Sequence, residues 1–267
     1  MLYRAKYGDE AYIEVPCGKC EACITRKANE WGTRVYYEWL HSKTACFVTL
    51  TYSDEFLHYG DVYFEHVDYK DLAHWALLNK RDCQLFMKRL RKQLGKGVRF
   101  FLGAEYGETT TRPHYHLILF NYPQEYKETI YDLISKCWSL GSITVNESNI
   151  NRVRYVAKYC YSQSQIDTKL VKNFVKPFIL CSRRPAIGHQ YICSTTIDYH
   201  NSQLEPIVPM EDFNMPMPRY YRDKIFFQES KEELYNRFIN DDTPPPTEDE
   251  IKVFKKRFYE KKKNKVL

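Results

Sequence analysis

Two histidines one residue apart, His114 and His116, lie in the run Arg112-Pro-His-Tyr-His-Leu-Ile-Leu-Phe120. The run is short, apolar and bounded by turn residues, which reads as a β-strand. Alternate residues of a strand face one side, so both imidazoles can meet a single divalent ion while Leu117 and Leu119 point into a core. Glu105 ends a preceding strand nine residues upstream, and a turn between the two places it beside the histidines. Glu108 is the alternative if that turn begins earlier. Two imidazoles and one carboxylate leave positions for water and a phosphate oxygen, which suits Mg²⁺ or Mn²⁺. The plainer reading is a pair of packed histidines and a solvent-facing carboxylate.

A second constellation is Tyr155-Val-Ala-Lys-Tyr159. On a helix Tyr155, Lys158, Tyr159 and Ser162 form one polar stripe, and Val153, Val156, Ala157 and Cys160 form the buried one. A phenol near pKa 10 attacks poorly unless a cation lowers the cost of ionising it, and Lys158 supplies one a turn away. The plainer reading is an amphipathic helix with exposed aromatics.

Cys17, Cys20 and Cys23 follow a Cys-x-x-Cys-x-x-Cys spacing. Three thiols can hold Zn²⁺, but a closed tetrahedral site needs a fourth ligand, for which Cys46 and His41 are candidates without supporting spacing. The alternative is that the cluster caps and packs the helix it opens. Nine cysteines, an odd number, fit free thiols or metal ligands better than a disulfide framework.

These residues need elements to position them. Ala28, Trp31, Val35 and Trp39 make a helical stripe, with Arg26, Lys27 and Arg34 off it. Cys46–Tyr52 alternates as a strand. Phe86, Leu90 and Leu94 mark a helix from about Asp82, ended at Gly95-Lys-Gly97. Arg99–Ala104 and His114–Phe120 form a hairpin; Gln124–Trp138 is helical, Ser142–Val145 a short strand, and Asn149–Ser162 the last helix. Helices interleaved with strands around a central hairpin predict an α+β fold, an antiparallel sheet with helices packed on it. Past residue 200 the pattern fades into Pro206, Pro209, Pro216 and Pro218, and Asp241–Pro246 reads as a linker. The expected division is 1–200 for the folded domain and 201–267 for a poorly ordered, Pro-rich extension with a basic tail.

The net charge of +6 is concentrated: residues 251–267 carry +7, leaving −1 for the rest. A basic tail favours polyanions. Arg34, Lys88, Arg91, Lys92 and Arg112, with Arg26, Lys27 and Arg89, are candidates for a groove that tracks single-stranded DNA, although each alone fits a solvated face. The hydrophobic and charged fractions, 43% and 28%, exclude wholesale disorder. No apolar run approaches the ~18 residues of a membrane span. Met1–Lys6 lacks the apolar stretch of an export signal, so the expected place is the cytoplasm of a bacterial host.

The His-x-His strand followed by the Tyr-x-x-Lys-Tyr helix resembles the HUH endonuclease superfamily. More narrowly, it resembles the rolling-circle replication initiators of the Microviridae, gokushovirus-like single-stranded-DNA phages. Val15–Cys23 with the Trp31 helix, Phe47–Tyr52 and Ser182-Arg-Arg-Pro-Ala-Ile-Gly188 resemble further motifs of that family, with Ala186 where Gly is usual. The likeness spans about residues 13–190. It implies a ferredoxin- or RRM-like HUH fold, with Mg²⁺ or Mn²⁺ on His114, His116 and Glu105. It further implies that Tyr155 and Tyr159 act in alternation, with Lys158 positioning the phosphate. The implied activity is site-specific nicking and joining: a 5′-phosphotyrosine link forms at the origin and a 3′-OH is freed for synthesis. The implied partners are origin DNA and host helicase and polymerase. A plasmid initiator, relaxase or transposase shares the same parts, and a non-catalytic single-strand-binding module is the reading from another class.

Overall fold

Five antiparallel strands form the centre of the structure, a computed structural model that describes residues 2–4, 12–14, 16–18, 20–60, 75–107, 110–159, 174–211 and 213–240, with positions 247 and 249. In chain order they are β1 (Ala45–Thr51), β2 (Arg99–Tyr106), β3 (Pro113–Phe120), β4 (Ile143–Glu147) and β5 (Phe178–Cys181), arranged in the sheet as β4-β1-β3-β2-β5. The expected hairpin is β2–β3, and its partner β1 lies on the other side of β3, so the His-x-His strand occupies the middle of the sheet. A strand flanked on both sides is held rigidly by two ladders, which suits residues that must keep a fixed geometry.

Period-two alternation divides the sheet into two faces. One carries Cys46, Val48, Leu50, Leu102, Tyr115, Leu117 and Leu119, packed against α2 (Lys80–Leu94) and α3 (Ile130–Cys137). Asn79 caps α2, its side-chain oxygen accepting from the N–H groups of Arg81 and Asp82. The other face carries Phe47, Phe101, Ile118 and Phe120, packed against α1 (Glu21–Leu40) and α4 (Ile150–Tyr159). Trp31 of α1 lies on Phe101, with ring centroids 5.2 Å apart. Gly32 lets α1 come close to Ala157 of α4. The order α1-β1-α2-β2-β3-α3-β4-α4 is the one expected from the sequence, and the fold is α+β with helices on both faces of an antiparallel sheet.

The proline-rich stretch, which shows no periodic pattern, is structured between 207 and 239. Ile207–Pro209 and Asn214–Pro216 pair as a ribbon, and α5 (Ser194–Gln203), α6 (Arg219–Ile225) and α7 (Gln228–Ile239) surround it. Val208, Met217, Tyr221 and Ile225 are buried in the same cluster as Val35 of α1 and Val153 of α4. Pro209 and Pro216 end their strands and Pro218 precedes α6, positions where the missing N–H costs no ladder or helix bond. The prolines punctuate these elements rather than prevent them. The basic segment 251–267 lies outside the described residues.

A buried ion pair fastens this assembly. Glu38, fully buried on α1, accepts from Arg99 of β2 through both carboxylate oxygens and from the backbone N–H of Gly188 at 2.8 Å. Arg99 also donates to the carbonyls of Pro185 (2.9 Å) and Ala186 (3.2 Å). Gly188 itself sits at φ +74, where a Cβ would lie 2.5 Å from the Arg34 carbonyl oxygen. The Ser182–Gly188 motif is thus a clamp between α1, the sheet and Tyr221, whose hydroxyl donates to the Gly188 carbonyl at 2.8 Å.

Candidate metal and nucleophile site

His114 and His116 emerge from β3 on the α1/α4 face, and the ladder sets their neighbours: His114 stands opposite Glu105 of β2 and Thr51 of β1, and His116 opposite Gly103 and Thr49. Glu105 and His116 are buried, 6% and 8% exposed, with Glu105 Oε1 2.9 Å from His116 Nε2. On the far side of the ring, His116 Nδ1 lies 3.1 Å from Thr49 Oγ1. His114 is half-buried, and its Nδ1 donates to the Arg112 carbonyl at 2.8 Å. Burial is the main influence holding the His114 pKa down, opposed by that carbonyl, so the ring is neutral and its Nε2 keeps a lone pair.

This donor set fits a divalent cation. A metal-bound histidine commonly donates its other N–H to an oxygen, as His114 does to Arg112 and as Thr49 allows for His116. Ligand bonds of about 2.1 Å meeting at a right angle put the two donor atoms about 3 Å apart, the separation of Glu105 and His116. His114 stands off from that pair: no three of these donors close to within 4.8 Å of one another, and its ring centroid is 6.4 Å from that of His116. The structure therefore brings His116 and Glu105 into contact and holds His114 a ring-width away. Glu108 lies outside the described residues.

Above this face runs α4. Val153, Val156 and Ala157 are buried, as its apolar stripe requires, and Tyr155 is 40% exposed. The Tyr155 ring meets His116 edge-on, centroids 5.5 Å apart at 80°, and Phe47 at 6.3 Å. So Tyr155 lies over the carboxylate–imidazole pair, where the sequence reading needs it. Tyr159 and Lys158 are on α4, and their side chains lie outside the described residues, as does Cys160.

The basic candidates do not converge on one groove. Lys88, Arg89, Arg91 and Lys92 are on α2, behind the sheet from the histidines, whereas Arg26, Lys27 and Arg34 are on α1. A joint path along both helices is corrected by the sheet that separates them. The Arg34 guanidinium is sandwiched between Trp31 and Tyr220, 4.3 Å from each ring, and its Nε donates to the Ile187 carbonyl at 3.1 Å. Arg91 lies over Phe100 and donates to Ser182 Oγ at 3.2 Å. Arg112, at the turn beside the site, pairs with Asp54 at 2.6 Å and donates to the Tyr52 carbonyl. Arg34 and Arg91 are thus packing residues, while Arg112 remains at the rim of the site.

Among the described residues, the one group of three metal-donor side chains lying within 4.8 Å of one another is Cys17, Cys20 and Cys23. Two ligands considered for it are excluded. Cys46 is buried in the core on the α2 face, and His41 ends α1, about 30 Å along the helix from its start. Thr49 and Glu38 escaped the sequence reading. Thr49 had a usable signal, a hydroxyl at an alternate position of the strand pairing with His-x-His; Glu38 had its place one turn after Val35 on an apolar helix.

A sheet whose central strand turns two histidines and a neighbouring carboxylate toward a helix-borne tyrosine belongs with the phage replication-associated proteins. Residues 45–164 match the family model of the replication-associated protein ORF2, and over that segment the chain belongs to that family. It is 28% identical over 234 residues to replication-associated protein VP4 of Bdellovibrio phage phiMH2K, covering 80% of this chain and 68% of that one. It is 32% identical over 161 residues to replication-associated protein ORF2 of Spiroplasma virus 4, covering 54% of this chain and 47% of that one. The chain thus spans about two thirds of the first relative and about half of the second. The N-terminal nuclease domain of the minute virus of mice non-structural protein-1, described with Zn²⁺ in its active-site pocket, superposes with a TM-score of 0.21 and 10% identity, over 65% of this chain and 83% of that one. So loose a likeness bears on neither the fold nor the site. The resemblance drawn from the motifs is borne out by the phage relatives. Among the described residues, no helix is long and apolar enough to cross a membrane.

Proposed function

We propose that the chain starts rolling-circle replication of a single-stranded-DNA phage genome by nicking and rejoining one DNA strand through a tyrosine. The observation that carries this reading is Tyr155 seated edge-on against His116, on the sheet face that holds Glu105. His114, His116 and Glu105 would hold Mg²⁺ or Mn²⁺. Bound there, the ion supplies positive charge to the phosphate under attack.

The chain's own residues do the rest. The partly exposed Tyr155 phenol loses its proton and its oxygen bonds to phosphorus; the P–O3′ bond breaks, and the departing 3′ oxygen takes up a proton. The protein is left on the 5′ phosphate, and the freed 3′-OH is the primer for host helicase and polymerase. Because one phosphodiester is exchanged for another, the reverse step rejoins DNA without an energy source. Tyr159, one helical turn on, would take the second transfer, with Lys158 beside both phenols. The working unit for this is the segment 1–200, with the basic tail contributing charge. Arg112, at the rim, is the residue placed to meet the DNA backbone, its pair with Asp54 being exposed and weak.

The test mixes the full chain with Mn²⁺ and 3′-labelled single-stranded DNA from the intergenic regions of the encoding genome. The products are resolved on a denaturing gel. The expected result is a slow covalent band, lost with EDTA and lost in Tyr155→Phe/Tyr159→Phe while DNA binding persists. An adduct retained by the double variant would remove the tyrosine assignment. Tight binding with no adduct on any fragment would make the chain a non-catalytic binding module.

A further inference from the structure

The cysteines ahead of α1 have no part in the nicking chemistry, yet they are arranged as ligands. Cys17 Sγ and Cys23 Sγ are 3.9 Å apart, and all three sulfurs lie within 4.8 Å of one another. Sulfurs about 2.3 Å from a tetrahedral ion stand about 3.8 Å from each other, whereas a disulfide requires about 2.05 Å. Gly18, at φ +74, folds the chain back so that Cys17 and Cys20 converge. The fold brings the Cys20 backbone N–H to 3.2 Å from Cys17 Sγ, a hydrogen bond that favours a thiolate acceptor. Cys23 sits in the first turn of α1, where unpaired N–H groups favour negative charge. The Lys27 ammonium reaches the Gly18 carbonyl at 3.3 Å and brings a cation to the same turn.

We infer that Cys17, Cys20 and Cys23 form a zinc site of three thiolates, with a fourth position open to solvent, which fixes the chain before α1 to that helix. Thiolate donors select a soft or borderline ion, and three of them fall one short of the four that hold an iron–sulfur cluster. On binding, three S–H bonds give way to three S–Zn bonds and three protons leave to solvent. Cys17 and Cys20 are exposed, so the open vertex faces water; Cys23 is buried and anchors the ion to the fold. The site is separate from the His114/His116/Glu105 cluster in both place and ligand chemistry.

The test uses the full chain, purified under reducing conditions and dialysed against a mild chelator. The expected result is about one zinc per chain, replaceable by Co²⁺ with a near-ultraviolet thiolate-to-cobalt absorption that imidazole and carboxylate ligands do not give. Cys17→Ser/Cys20→Ser changes two exposed residues and should lose both metal and absorption while keeping the far-ultraviolet circular dichroism. Cys193→Ser, an exposed thiol at the start of α5, and His116→Ala should keep both. A chain that retains no zinc and gives no such band overturns the assignment, and so does a band that survives in Cys17→Ser/Cys20→Ser.

Discussion

Thr49 Oγ1 approaches His116 Nδ1 at 3.1 Å, on the side of the ring opposite Glu105. For Nε2 to face a cation with its lone pair, the proton must sit on Nδ1, and Thr49 is the oxygen that accepts it there. Thr49 thereby selects the tautomer as well as the angle of the ring. Thr49→Val keeps the shape and removes the acceptor, so Mn²⁺ affinity should fall by about 10- to 100-fold, with Thr49→Ser restoring most of it. Titration of Mn²⁺ binding to the folded variants reads this directly. Equal affinity in wild type and Thr49→Val would show that the tautomer is set elsewhere.

Gly107 ends the β2–β3 hairpin strand where the His114 ring folds over it. A Cβ built on Gly107 would lie 2.9 Å from His114 Cε1 and 3.2 Å from Nδ1. Gly107→Ala must therefore push the ring off the Arg112 carbonyl. A displacement near 1 Å at a reacting site costs about 100-fold in rate. Cleavage rate at saturating Mn²⁺ should drop by that order, while the melting temperature shifts by only a few degrees. An unchanged rate would place His114 outside the reaction.

The eight central elements were legible because their signals are local. Alternation put His114 and His116 on one side of β3, and the i, i+3, i+4 pattern put Val153 and Val156 under α4 and Tyr155 above it. What periodicity cannot say is which face of a sheet a helix covers. That is why Lys88 and Lys92 read as partners of Arg34 in one groove although α2 and α1 lie on opposite faces. Glu38 and Arg99 looked like surface charges, since their burial comes from the Pro185–Gly188 clamp arriving from almost ninety residues beyond Arg99. Strand β5, with its four residues, and the ribbon at 207–216 exist through pairing partners that no short window contains.

His200 is buried on α5, with Nε2 2.7 Å from the Tyr191 hydroxyl and Nδ1 3.2 Å from the Glu205 carbonyl oxygen. Neutral imidazole satisfies both, donating to the carbonyl and accepting from the phenol. Burial lowers its pKa below the ordinary value of about 6.5, against the pull of Glu205. A folded pKa below the unfolded one means the unfolded chain takes up the proton more readily. The associated stability is therefore intact above about pH 6.5 and is lost as pH falls below it. His114 shifts in the same direction, so wild type alone does not separate the two. Melting temperature measured from pH 7.5 down to pH 5 should fall more steeply in wild type than in His200→Gln. Parallel slopes would mean that His200 does not contribute.

The Glu38–Arg99 pair connects the helix that packs against α4 to the edge of the sheet and to the Ser182–Gly188 clamp. Its charges are buried, with side-chain exposures of 0% for Glu38 and 12% for Arg99, so neither can turn to water if the other is removed. Glu38→Ala strands the guanidinium and two N–H donors, and Arg99→Ala strands the carboxylate. Each should cost about 3–5 kcal/mol in urea unfolding. By contrast Arg237→Ala, which breaks an exposed i, i+4 pair with Glu233, should cost about 0.3–0.5 kcal/mol. If the buried pair acts as a unit, Glu38→Leu/Arg99→Met should lose less than the sum of its single variants, because the double change leaves no unpaired charge in the interior. Strict additivity in that cycle would show that Glu38 and Arg99 stabilise the clamp separately, through their backbone partners alone.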